Sequence, residues 1–118
     1  MSIAADLAIL IIALLHIYIL ILEIFLWDKP MGLKAFGQTK EAATKSKVLA
    51  ANQGLYNGFL AAGLLWGLLR GADGLEIKIF FLICIIIAGI FGAATANKKI
   101  LYIQAVPAAI GLVLVLIF

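Results

Sequence analysis

Residues 3–27 read IAADLAILIIALLHIYILILEIFLW, an apolar run broken by Asp6 at one end and by His16, Tyr18 and Glu23 further in. A bilayer crossing takes about 20 predominantly apolar residues, so this run is long enough to span. His16 and Glu23 are seven positions apart, two helical turns, which leaves them about 20° apart on one helix face. A carboxylate at membrane depth costs at least roughly 2.5 kcal/mol on insertion scales. A partner, a water-filled cavity or protonation of the acid must offset that cost. Ionisable groups inside a span are functional by default, and the pair is the strongest functional lead in the chain.

Outward from this run the whole chain has the same character. Of 118 residues, 66% are hydrophobic and 13% charged, and the mean hydropathy is +1.22. A soluble domain carries about 25% charged residues. Four crossings of about 20 residues each would occupy nearly all of the chain and leave no room for a soluble domain. Ile3–Trp27 has no basic segment before it and no small-residue cleavage site before Trp27, so it reads as a retained helix rather than a signal peptide. The net charge of +3 and the pI near 9.2 come from loop lysines. They speak for topology and not for nucleic acid, because no basic stretch is interleaved with aromatics. Cys84 stands alone in an apolar run and reads as a small apolar residue.

The pattern predicts an all-α fold, an integral membrane four-helix bundle of up-down topology forming one domain, 1–118. The helices are expected over about 3–27, 48–69, 77–96 and 100–118, with a cytoplasmic loop 28–47. Trp27-Asp28-Lys29-Pro30 marks the interface and a stop. Thr39 could cap a short helical extension through Glu41 into the second helix. Lys29, Lys34, Lys40, Lys45, Lys47, Lys98 and Lys99 fall on one side, against Arg70 and Lys78 on the other. By the positive-inside rule the lysine-rich side is cytoplasmic and both termini face outward.

Polar side chains recur at matching depths. Glu23, Gln53 and Gln104 each lie about five residues, roughly 7.5 Å, inside the cytoplasmic boundary, and His16 and Asn57 lie near mid-membrane. Gln53 and Asn57, four apart, share a helix face with Tyr56 beside them. The candidate ligand-binding or proton-coupling set is therefore Glu23, His16, Gln53, Asn57, Gln104 and Tyr56. The bland alternative for the amides is interhelical glue, worth about 0.6 kcal/mol each. Gly54 and Gly58 form a G-x-x-x-G ridge, which suits close helix packing and also offers a homodimer contact through the second helix. Pro107 leaves the carbonyl of Ile103 without its helical donor and invites a kink or a water near Gln104.

One histidine and one buried glutamate are too few for a metal site, so neither a metal nor another cofactor is expected. No G-x-S-x-G elbow, phosphate-binding glycine loop or cysteine pair is present. Glu23 and His16 as a coupled pair suit a proton-coupled carrier or binder of a small ligand. They equally suit acid–base catalysis on a lipid or isoprenoid-like molecule, and a structural or accessory subunit is a third reading.

The stretch His16-Ile17-Tyr18, then Leu22-Glu23-Ile24-Phe25-Leu26-Trp27, Phe36-Gly37 and Ala50-Ala51-Asn52-Gln53-Gly54-Leu55-Tyr56-Asn57-Gly58 resembles one family. These are the small four-helix bacterial integral membrane proteins grouped as a domain of unknown function, number thirteen hundred and four. The resemblance covers nearly the whole chain and implies a multi-pass protein of the bacterial inner (plasma) membrane. It implies no activity and transfers no catalytic residue. In size and in the acid of its first helix the chain is also similar to small multidrug-resistance transporters, a likeness of architecture alone.

Overall fold

The computed structural model describes residues 2–118, so Met1 of the expected 1–118 domain lies outside the described residues. Among the described residues every regular element is helical. They run α1 (Ile3–Ile24), α2 (Pro30–Phe36), α3 (Lys40–Leu69), a 3₁₀ turn (Gly71–Gly74), α4 (Leu75–Thr95), a π turn (Leu101–Ala105) and α5 (Val106–Ile117). Ile3–Ile24 and Gly71–Thr95 are long and apolar enough to cross a membrane, and Leu101–Ile117 is apolar but shorter. The chain packs as two compact units: residues up to Ala13 with Leu60–Phe118, and Leu14–Phe59.

In the Leu14–Phe59 unit the expected loop 28–47 turns out to be largely helical. Helix α1 stops at Ile24 rather than Trp27, and its last turn loosens as Leu26 N–H reaches back to Ile21 O at 3.2 Å. Lys29 is extended (φ −98°, ψ 162°), as a residue before proline prefers, and Pro30 then opens α2 with the φ a first helical turn needs. Gly37 ends α2 in the left-handed region (φ 61°), a conformation that costs a side-chain-bearing residue far more than glycine. Thr39 caps the next helix as expected, its Oγ1 accepting the Ala42 N–H at 3.2 Å. From there α3 runs unbroken to Leu69.

Leu33 and Phe36 of α2 pack on a cluster of Trp27, Ala43 and Ala50. The rings of Trp27 and Phe36 lie 4.8 Å apart, and Trp27 Nε1–H donates to Ser46 Oγ at 3.0 Å. Trp27 is a buried anchor that holds α2 against the start of α3. Beside it Lys47 Nζ lies 3.3 Å from Asp28 Oδ2. Partial burial pushes the Asp28 carboxyl up. The hydrogen bond and charge of Lys47, with the charge of Lys29, outweigh this and hold it below the usual carboxylate range.

In the other unit Ile9, Ile12, Leu64, Leu82, Ile85 and Val115 form the core with Ala5, Ala13 and Ala108. Small residues set the helix spacing. A Cβ on Gly89 would stand 2.7 Å from the backbone nitrogen of Ala105, and one on Gly111 would stand 2.8 Å from Ile12 Cδ1. Only glycine at position 89 admits the α5 segment at this distance. The helix expected over 100–118 begins with a π turn, closed by Val106 N–H to Leu101 O. It sits just ahead of Pro107, where the missing N–H and the ring disturb the regular ladder. The irregularity expected at Gln104 takes this form.

Candidate polar site at Glu23

The site begins with the glycine ridge of α3. A Cβ on Gly54 would meet Ile24 Cγ1 at 2.7 Å, Glu23 Cβ at 3.1 Å and Leu20 O at 3.3 Å, and one on Gly58 would meet Leu20 Cδ1 at 2.7 Å. Leu20 against Gly58 and Ile24 against Gly54 means that the two helices run antiparallel. The ridge is filled from within the chain, by the second half of α1. A dimer through α3 would have to use its other faces.

Close approach of the two backbones brings short amide side chains within reach of Glu23. Gln53 Nε2 donates to Glu23 Oε2 at 2.7 Å, and Asn57 Nδ2 donates to Oε1 at 2.6 Å. Asn57 also donates to the Gln53 carbonyl at 3.3 Å, which braces its amide on α3. Glu23 is 1% exposed and Asn57 5%. Each carboxylate oxygen thus has a donor, as burial of a charged group demands, and both donors are neutral. Among the described residues the carboxyl group has these two amide donors and no ion pair.

His16 is fully buried in the same unit, but two turns of α1 put about 10.5 Å of axial rise between it and Glu23. Tyr56 is exposed, its ring 6.0 Å from that of Phe59 on the outer face of α3. Gln53 is exposed although it donates to the buried acid. Gln104 is partly buried in the π turn of the other unit.

Sequence reasoning missed one buried charge. Lys78, read only as a charge at the outer-side start of the helix expected over 77–96, is 1% exposed, and its Nζ lies 3.3 Å from Asp6 Oδ1. Gly67 makes room for it, since a Cβ there would meet Lys78 Cγ at 2.8 Å. The signal was available: both residues sit in the first turn of an apolar helix, and opposite charges at such helix starts can pair where their ends meet.

The sequence pattern of the family described as "Protein of unknown function (DUF1304)" matches residues 10–116. The chain is similar to "Uncharacterized protein YpaA" of Lactococcus lactis subsp. lactis (strain IL1403), 36% identical over 106 residues, covering 88% of this chain and 89% of the relative. No solved structure matches the chain.

Proposed function

We propose that this chain, which belongs to the DUF1304 family of proteins of unknown function, is a multi-pass protein of the bacterial inner membrane that binds a small ligand or carries protons at Glu23. In this reading α1, the apolar part of α3, α4 and the π turn with α5 cross the bilayer as an up-down four-helix bundle. The lysines of 28–47 and Lys98-Lys99 face the cytoplasm, and both termini face outward. Outward-facing apolar side chains support the placement. On α1 the residues Leu7, Ile11, Leu14, Tyr18, Ile21 and Phe25 are all exposed, three or four apart, on one stripe. A monomeric soluble protein rarely exposes so large an apolar surface.

One observation carries the functional part: a buried carboxylate, inside an apolar helix, held at 2.6 and 2.7 Å by two neutral amides. Arginine or lysine opposite Glu23 would make a structural ion pair. Amides fix the carboxyl group in position and leave its charge to be balanced from outside, by a proton or by a cationic ligand. Glu23 is the charge or proton carrier, Gln53 and Asn57 orient it, and His16 modulates it from two turns away.

The test is ion flux in vesicles containing the purified protein, read with a pH-sensitive dye under an imposed proton gradient and with candidate cations present. Wild type should show protein-dependent flux, and Glu23→Gln should abolish it while the helices and the amide contacts persist. Gln53 can turn its amide to accept from the new side chain. Equal flux and equal uptake in wild type and Glu23→Gln across the candidates would overturn the proposal.

A further inference from the structure

With the glycine ridge filled, the opposite face of α3 has no cover from its own chain. Leu49, Asn52, Tyr56 and Phe59 are all exposed, and their spacing of three, four and three is that of a helix–helix seam. Three of the four are large and suited to packing. The fourth, Asn52, lies five residues, about 7.5 Å of helix rise, beyond Lys47 and points out of the chain. Among the described residues nothing hydrogen-bonds its side chain.

We infer that this face of α3 is the contact between two copies of the chain, with Asn52 of each copy hydrogen-bonded to Asn52 of the other. The inference rests on the membrane placement proposed above, because only in hydrocarbon must an exposed amide find a protein partner. A second copy fits better than another partner because the seam is self-complementary. A two-fold axis brings each residue near its own counterpart, and an amide both donates and accepts, so two asparagines satisfy each other. A single polar residue in an apolar seam also sets register and stoichiometry. Tyr56 and Phe59, already ring to ring at 6.0 Å, would flank the amides. Gln53, exposed beside the seam and bonded to Glu23, would then be covered at the dimer edge, so pairing would close the open side of the Glu23 site.

The experiment uses the full-length protein in lipid vesicles, in a Cys84→Ser background so that only introduced cysteines react. Asn52→Cys should cross-link to a species of doubled mass under mild oxidation, whereas Ile110→Cys on the exposed face of α5 should not. In parallel, Asn52→Leu with fluorescent labels should weaken dimerisation about 3- to 20-fold, the range set by measured interhelical polar contacts. Its helix content should stay at the wild-type level, because the residue is exposed. Equal cross-linking at both cysteine positions, or unchanged association in Asn52→Leu, would overturn the inference. Release of the protein from membranes by alkaline carbonate would overturn the membrane placement and this inference with it. Retention in membranes with no dimer at any protein-to-lipid ratio would overturn this inference alone.

Discussion

Glu23 depends on Asn57 more than on any other side chain in its unit, because Asn57 is the buried donor and Gln53 the exposed one. Asn57→Ala should therefore cost about 1–3 kcal/mol, the range for leaving a buried acceptor unsatisfied, with the upper end expected for a charged one. Gln53→Ala should cost less, since water or a neighbouring group can replace an exposed donor. Thermal or denaturant unfolding in detergent checks the order, and a larger loss for Gln53→Ala would contradict it. The Asp6–Lys78 pair makes a second ordered prediction. Asp6→Asn keeps the ammonium buried and removes its countercharge, whereas Lys78→Met removes the charge and keeps the volume. Asp6→Asn should be the more destabilising of the two, by the same unfolding measurement. The Gln53 contact was legible in the sequence because Gln53 lies at the depth of Glu23, whereas Asn57, placed at the depth of His16, was legible only as sharing a helix face with Gln53. The Lys78 contact was not, because each of its members was weighed only as a charge near a helix start.

Helices α3 and α4 each meet a neighbour at a glycine, and the two contacts differ in what an added methyl would strike. At Gly89 it would meet backbone atoms of Ala105, which cannot swing aside, while at Gly54 the nearest atom belongs to the Ile24 side chain. Gly89→Ala should cost at least the 1–3 kcal/mol typical of overpacking, and Gly54→Ala a smaller amount. Gly54→Ala should also part α1 from α3 and lengthen the Glu23–Asn57 contact, visible as faster amide-proton exchange of the Asn57 side chain. The α2 segment adds a pH effect. The Asp28 carboxyl titrates lower in the folded chain than in the unfolded one, so the unfolded chain binds more protons in acid. The pair's contribution is complete above about pH 4, the ordinary carboxylate value, and is lost as pH falls through the lower folded value. Unfolding midpoints measured down the acid range should drop for wild type and drop less for Asp28→Asn. Helix α2 itself was announced by Pro30 and Gly37, a first-turn proline and a terminal glycine at the right spacing. Its seven residues and its lysines made it resemble a loop. The cover over Trp27 was not legible either, because Phe36 and Ser46 reach it only in the fold.

For the molecule as a whole, the proposed placement predicts which parts lie on which side. A reporter enzyme active only outside the cytoplasm should work when fused after Phe118 and fail when fused after Lys34, and the reverse result would invert the topology. The all-helical character followed from composition, whereas the length of α3 did not, because a lysine-rich start conceals a helix that tertiary packing completes. That length has a mechanical meaning. Thirty residues at 1.5 Å each make a rod of about 45 Å, against a hydrocarbon layer of about 30 Å. In the proposed placement its first turns would extend beyond the lipid as an unbroken continuation of the span that carries Gln53 and Asn57. About 20 Å of stiff helix joins Gln53 to Lys40, with no hinge between them. A tilt or rotation imposed at the carboxylate would swing the lysine-bearing tip in the same motion, like the pointer of a gauge whose spring is inside the wall. Chemistry sealed in the bilayer would thus be displayed in water, where soluble components can read it.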